Sequence, residues 1–257
     1  MKNFEVEFYR LLDLLKKREP FAFNRFSDGE LYILQNQELI LDDNLVKIGS
    51  RVEGGAYKVD DFKHFHPVEH AFYRDRLVDA FRFVKKNYFK GLSCRCCVGD
   101  AHFQWQLDFH GPYDDNFTWS NLLLNGNYGK FIREMYPVFN EYRTIFVCNE
   151  SADLSLLPFV VKDFRVGYNA MVNNYDLIER LKQWITEEGI TGHLFLFSAS
   201  AFSKMAIHQL YAHCDNNTYI DVGTTLAPLM GFGPVRTYLK SFWLGEKSRD
   251  INKICIW

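Results

Sequence analysis

No stretch of this 257-residue chain reaches the ~20 consecutive apolar residues that a membrane helix requires, so no membrane span is expected. The opening residues, Met1-Lys-Asn-Phe-Glu-Val-Glu7, lack the uninterrupted apolar core of a secretory leader, and the expectation is a cytoplasmic protein. Neither sign of charge dominates. Lys plus Arg number 30 against 32 Asp plus Glu, a formal net charge of −2, so no global field draws the chain to nucleic acid. The Gly-x-x-x-x-Gly-Lys-Ser/Thr phosphate loop is missing, which argues against ATP hydrolysis. The Gly-x-Gly-x-x-Gly dinucleotide fingerprint is missing too. With no internal repeat, low-complexity linker or sharp boundary, one domain is expected over 1–257. Residues 1–19 form its N-terminal helix and 237–257 an unassigned C-terminal tail.

What is present is aromatic weight: 24 Phe and 14 Tyr, enough to fill a core or to line a cleft that stacks sugars and bases. A content of 47% hydrophobic and 24% charged residues is that of a soluble globular chain. Three of the six cysteines crowd into Leu92-Ser-Cys-Arg-Cys-Cys-Val98, which reads as a strand with Cys94 and Cys96 on one face and Cys97 on the other. These, with Cys148, Cys214 and Cys255, are read as reduced core thiols rather than a zinc knuckle.

Apolar residues at helical spacing predict a helix over 3–18, stopped by Pro20. Phe21–Ser27 reads as the first strand and Gly29–Gln37 as a helix directly after it. Residues 38–66 look irregular, with 49–55 a mobile loop. Val68–Tyr88 reads as a long helix, Leu92–Val98 as a strand and Ala101–Phe109 as a helix. Ser120–Asn125 and Lys130–Phe139 read as further helices. From Arg143 onward strands and helices alternate: strands at 143–148, 164–166, 192–198 and 218–222, helices at 175–188 and 205–213. That alternation predicts an α/β fold, Rossmann-like, with a mostly parallel sheet flanked by helices.

The chain is organised around Arg25-Phe-Ser-Asp-Gly-Glu30, where a strand runs into a helix and two carboxylates flank one glycine. In α/β folds ligands sit at the carboxyl ends of strands. Hard oxygen ligands at this spacing suit Mg²⁺ or Mn²⁺, which usually bridge to a phosphate. The alternative is that Asp28 simply caps the helix. Arg25 and Ser27 stand beside the pair, Arg25 able to meet a phosphate or the carboxylates. Later, Ser198-Ala-Ser-Ala-Phe-Ser-Lys204 opens into a helix, where free backbone N–H groups and Lys204 could hold a phosphate; Ser200 or Ser203 could equally be a plain N-cap. Asp100 with His102, and Asp221, follow strand ends and are candidate general bases. Asp221 could instead bond backbone amides at a tight turn. Asn121, Asn125 and Asn149 could bond sugar hydroxyls. His64 and His66 flank Phe65 and could join the carboxylates in a metal-dependent phosphoesterase or nuclease. Arg74, Arg76, Arg82, Lys85 and Lys86 could line a groove for nucleic acid, or solvate one helix face.

Arg25-Phe-Ser-Asp-Gly-Glu30 resembles the Arg-Phe-x-Asp-Gly-Glu signature of the GT-D-type glycosyltransferases, once a domain of unknown function in streptococcal adhesin glycosylation. Ser198–Lys204, Thr218-Tyr-Ile-Asp-Val-Gly223 with Arg236 and Tyr238, and Trp119–Asn127 extend the likeness over roughly residues 20–240. Serine stands at 27 where glycine is common, and alanines replace the usual glycine-proline before Lys204. The resemblance implies a Rossmann-like glycosyltransferase in which Asp28 and Glu30 hold Mn²⁺ or Mg²⁺ and the diphosphate of a nucleotide-sugar donor, probed first as UDP-linked. It also implies that Lys204 and the amides of Ala201–Ser203 assist in donor binding; Arg25, Ser27, Ser200, Ser203 and Asn149 are the further candidates for the donor. The acceptor it implies is a hydroxyl on a glycan or glycoprotein, with a modified nucleic-acid base as the variant reading.

Overall fold

The computed structural model describes residues 2–42, 45–54 and 63–257. Its centre is a seven-stranded sheet in the order β7 (Phe117–Trp119), β6 (Tyr88–Leu92), β1 (Ala22–Arg25), β11 (Thr218–Asp221), β10 (Leu194–Ser198), β8 (Thr144–Asn149) and β9 (Val160–Val166). Every neighbouring pair is parallel. The α/β class with a parallel sheet is therefore as the alternation of elements predicts.

Both faces of this sheet are covered, and the strand sequences show why. Successive side chains leave a strand on opposite faces. In β1 and its approach, Phe21 and Phe23 enter one apolar cluster while Ala22 and Phe26 enter the other. Strand β10 repeats this, with Leu194 and Leu196 on one face and Phe195 and Phe197 on the other. Helix α1 (Phe4–Lys16), N-capped by the Asn3 side chain, buries Phe4, Phe8, Leu11, Leu12 and Leu15 against the first face. Helices α2 (Asp28–Leu34), α3 (Ala71–Arg82) and α4 (Arg95–His110) follow in the chain, then short α5 (Tyr128–Lys130) and α6 (Ala170–Asn173), then α7 (Leu177–Glu187), α8 (Ser200–His213) and α9 (Thr237–Leu244). Of these, α3, α7 and α8 bury Leu77, Leu181 and Leu210 in the second cluster.

Four elements depart from the sequence expectation. Residues 39–65 are not irregular: β2 (Leu39–Leu41), β3 (Leu45–Ile48), β4 (Arg51–Gly54) and β5 (Lys63–Phe65) form an antiparallel sheet in the order β4-β3-β2-β5. The expected loop 49–55 is thus a hairpin turn and strand as far as Gly54, while Gly55 lies outside the described residues. The short strands have few residues over which a period of two can show. The helix expected over 68–88 ends at Arg82, because Tyr88 begins β6. The strand expected over 92–98 is displaced: it ends at Leu92, and the cysteine run opens α4, which is interrupted at Gly99 (φ +80°). Residues 120–124 are a turn leading into a 3₁₀ segment, Asn125–Asn127, rather than an α-helix. No helix among the described residues is long and apolar enough to cross a membrane.

Candidate functional site

A cavity of about 610 Å³ opens at the carboxyl ends of β1, β8, β10 and β11. That size lies within the ~300–1,000 Å³ typical of small-molecule sites. Register explains the convergence. Phe197 pairs with Asp221 and Ser198 with Cys148, so the last residues of these strands stand side by side. Arg25, Asn149, Ser198 and Asp221 all line the cavity.

Arg25 is buried, 6% exposed, and its Nε donates to the Ser120 carbonyl. Its guanidinium lies where a Cβ on Gly223 would be, and Gly223 takes a left-handed backbone (φ +51°). Glycine is therefore favoured there on two counts. Beyond β1, the Glu30 carboxylate turns back on its own helix start: Oε2 accepts from the Ser27 N–H at 3.0 Å and the Ser27 hydroxyl at 2.8 Å. Its Oε1 meets Lys63 Nζ at 3.5 Å and Lys204 Nζ at 4.0 Å. Burial alone would raise this carboxyl, but Lys204, Lys63 and the Ser27 bonds outweigh it and hold Glu30 down at about 2. Asp28, by contrast, is exposed on the cavity and accepts only from the Gly29 N–H among the described residues.

Lys204 is placed by its surroundings. The buried Asn24 side chain of β1 donates to the Lys204 carbonyl at 2.9 Å, pinning that turn of α8 to the sheet. Its ammonium then bonds Asp221 Oδ2 at 2.6 Å and the Ser200 carbonyl at 3.2 Å. Asp221 Oδ1 accepts from the Gly223 N–H at 2.9 Å. Asp221 is thus the amide-bonded group at a tight turn, and both its oxygens are committed.

Backbone strain concentrates here. Asn125, Asn169 and Ser200 line the cavity with φ of +50°, +45° and +51°. Left-handed non-glycine residues cost energy and gather at functional sites. The Ser200 hydroxyl is also buried without a hydrogen-bond partner among the described residues.

Of the residues singled out in the sequence, Arg25, Ser27, Asp28, Glu30, Asn121, Asn125, Asn149, Ser200, Lys204, Asp221, Arg236 and Tyr238 line this cavity. Four expectations are corrected. Ser203 is fully buried beneath the wall, its hydroxyl accepting from the Ala199 N–H at 3.0 Å, so it caps α8 rather than meeting a ligand. Asp100 is exposed and pairs with Arg95, and His102 bonds Gln35; neither reaches the cavity. His64 and His66 stand against His70 instead, so the carboxylates have no histidine beside them. The basic residues of α3 and the turn after it are spent locally: Arg74 on the Leu34 carbonyl, Arg76 on Asp79, Arg82 on the Phe109 carbonyl, Lys85 on Asp215. Lys86, like them, is absent from the cavity wall.

Two charged wall residues were not legible. Lys63 comes from the small antiparallel sheet, and Glu150 from the loop after β8, where its neighbour Asn149 was the only cue.

Compared with solved structures, the chain superposes on a glycosyltransferase (DUF1792) from Streptococcus sanguinis with a TM-score of 0.55 at 15% identity, covering 90% of this chain and 87% of that one. A selenomethionine-substituted domain of unknown function 1792 gives 0.55 at 14% identity, over 89% and 83%. A third structure, described as a domain of unknown function 1792 with a distinct glycosyltransferase fold, gives 0.52 at 14% identity, over 89% and 83%. No family model and no curated protein matches the sequence. The chain therefore has the fold of the DUF1792 structures, as the Arg25–Glu30 resemblance implies.

Proposed function

We propose that this chain is a glycosyltransferase that moves a sugar from a nucleoside-diphosphate donor, UDP-linked, to a hydroxyl of a glycan or glycoprotein, assisted by Mn²⁺ or Mg²⁺. The observation that carries this reading is the charge inventory of the cavity. Arg25, Lys63, Lys204 and Arg236 face Asp28, Glu30, Glu150 and Asp221. Four cations against four carboxylates leave no net positive charge for an incoming diphosphate, so a divalent cation suits the site.

The donor set fits such an ion in part. Asp28 is an exposed hard oxygen ligand, and Mg²⁺ is commonly held by one or two carboxylates with substrate phosphates and water completing the shell. Glu30, the expected second ligand, is already neutralised by two lysines and two Ser27 donors. We assign Asp28 to the cation and Glu30 to positioning Lys63 and Lys204. When bound, the cation neutralises charge on the departing diphosphate. Arg25 and Arg236 supply guanidinium donors suited to phosphate oxygens. The start of α8, with the strained Ser200, offers amides and the positive end of a helix dipole. Asn121, Asn125 and Asn149 offer amides to sugar hydroxyls.

If the anomeric centre is inverted, a carboxylate must take the acceptor proton. Asp221 has no free oxygen for that. The Glu150 carboxylate is exposed on the wall with no bonding partner among the described residues, and we assign it this role.

The phosphoesterase reading loses its histidines, none of which lines the cavity. Nucleotide release from UDP-, GDP- and TDP-sugars, with calorimetry of donor binding with and without Mn²⁺, tests the proposal. Absence of release from every donor sinks the transferase. Donor binding indifferent to Mn²⁺ and to Asp28→Ala sinks the metal assignment.

A further inference from the structure

The cysteine run that reads as core thiols does something else in three dimensions. Cys94-Arg-Cys-Cys97 opens α4, and the chain's last segment returns to lay Cys255 against it. One sulfur atom from each of Cys94, Cys96, Cys97 and Cys255 lies within 4.8 Å of the others. Cys94 Sγ is 3.1 Å from both Cys96 Sγ and Cys97 Sγ. Cys94 and Cys255 are buried, at 1% and 2%, while Cys96 and Cys97 are exposed.

We propose that these four cysteines form a tetrathiolate site for one Zn²⁺ that clamps the C-terminal segment to the body of the fold. Four thiolates at ~2.3 Å around a tetrahedral ion put their sulfurs roughly 3.8 Å apart, a value between the 3.1 Å separations at Cys94 and the 4.8 Å limit of the cluster. An iron–sulfur cluster must fit its own inorganic atoms between the thiolates and needs sulfurs further apart. The separations at Cys94 are also well beyond the ~2.05 Å of a disulfide. Cys94 and Cys97 have the two-residue spacing of a zinc-binding pair, and Cys96 and Cys255 complete the set.

The surroundings fit a negatively charged zinc centre. Lys253 Nζ lies 3.3 Å from Cys97 Sγ, and Asn121 Nδ2 donates to the same sulfur at 3.3 Å. Such outer donors orient thiolates and offset their charge. The segment carrying Cys255 is held close on either side. The Gly126 N–H donates to the Lys253 carbonyl at 3.1 Å, and the Trp257 ring sits 5.5 Å from that of Trp119. With four protein ligands no position is open for substrate, so the role is structural. Each thiol releases its proton to solvent as its Zn–S bond forms. Because Asn121 also lines the cavity, the site ties the C-terminal segment to the cavity wall.

The test is metal analysis of the full chain purified under reducing conditions, then zinc removal by a mercurial with the released ion read by an indicator. About one zinc per chain is expected, falling to background in Cys94→Ser/Cys97→Ser and unchanged in Cys214→Ser, whose thiol lies outside the cluster. In the wild-type chain, Co²⁺ should replace zinc with the intense visible absorption of tetrahedral cobalt thiolate, which keeps the test independent of how the variants fold. Zinc below about a tenth per chain after reconstitution, iron in its place, zinc retained in the double variant, or a disulfide among these four in non-reducing mass spectrometry would overturn the proposal.

Discussion

Lys204 and Asp221 meet at 2.6 Å, their side chains only 6% and 1% exposed. This pair joins α8 to the end of β11 and forms part of the cavity floor. Removing one partner of a buried pair leaves an uncompensated charge, at a cost of about 3–5 kcal/mol. Lys204→Met and Asp221→Leu should each lower the unfolding free energy by that order, read from denaturant melts. The double variant should lose clearly less than the sum, since the two residues share one interaction. Additive losses in the double-mutant cycle would show that the pair is not coupled.

Asp28 and Glu30 should separate cleanly. Asp28→Ala alters an exposed group, so stability should change by no more than about 0.5 kcal/mol while Mn²⁺-dependent donor binding falls. Glu30→Gln leaves Lys63 and Lys204 without their shared carboxylate, so stability and metal-free donor binding should change together. Thermal melts beside calorimetric titrations read both; equal stability losses in the two variants would contradict the assignment.

The pH dependence has a definite sign. His110 is sandwiched: Nε2 faces Lys90 Nζ at 2.5 Å and Nδ1 faces the Pro112 carbonyl at 3.0 Å. Lys90 can only donate, so the ring is neutral with its proton on Nδ1. Burial first, then the Lys90 charge, push His110 down to about 4. Between about 6.5 and 4 the unfolded chain binds a proton that the native chain does not. Stability is therefore full above pH ~6.5 and falls as pH drops toward 4. The lowered Glu30 carboxyl adds a second loss, between its ordinary range and about 2. Chemical denaturation at pH 7, 6, 5 and 4 should show the decline, and His110→Gln should flatten its upper part.

Strain at Ser200 predicts a trade. Ser200→Gly relieves a left-handed serine and should stabilise the fold by about 1 kcal/mol while weakening donor binding. Gly223→Ala should act in the opposite sense, destabilising the fold because a methyl would meet the Arg25 guanidinium. Paired melting curves and donor titrations for both variants decide this; a destabilised Ser200→Gly would mean that the hydroxyl, not the backbone, dominates.

Much was legible from local order. The alternation of Phe21 to Phe26 and of Leu194 to Phe197 specifies strands buried on both faces, because period-two geometry sends neighbours to opposite sides. A parallel sheet with its site at the carboxyl ends follows from strands alternating with helices. Arg25–Glu30 and Ser198–Lys204 stood out because turn and cap residues mark where strands end.

What the sequence could not determine was which atoms end up together. Whether Glu30 meets a cation or two lysines depends on Lys63 arriving from a separate sheet and Lys204 from α8, and long-range partners leave no local pattern. In the sequence Asp100 and His102 read as following a strand end, as Asp221 does, yet they lie inside α4 and only Asp221 faces the cavity. Cys255 reaches Cys94 only because the C-terminal segment packs back against Trp119 and Gly126. Periodicity is written residue by residue along the chain. The convergence of charges and thiols is written only by the packing of distant segments.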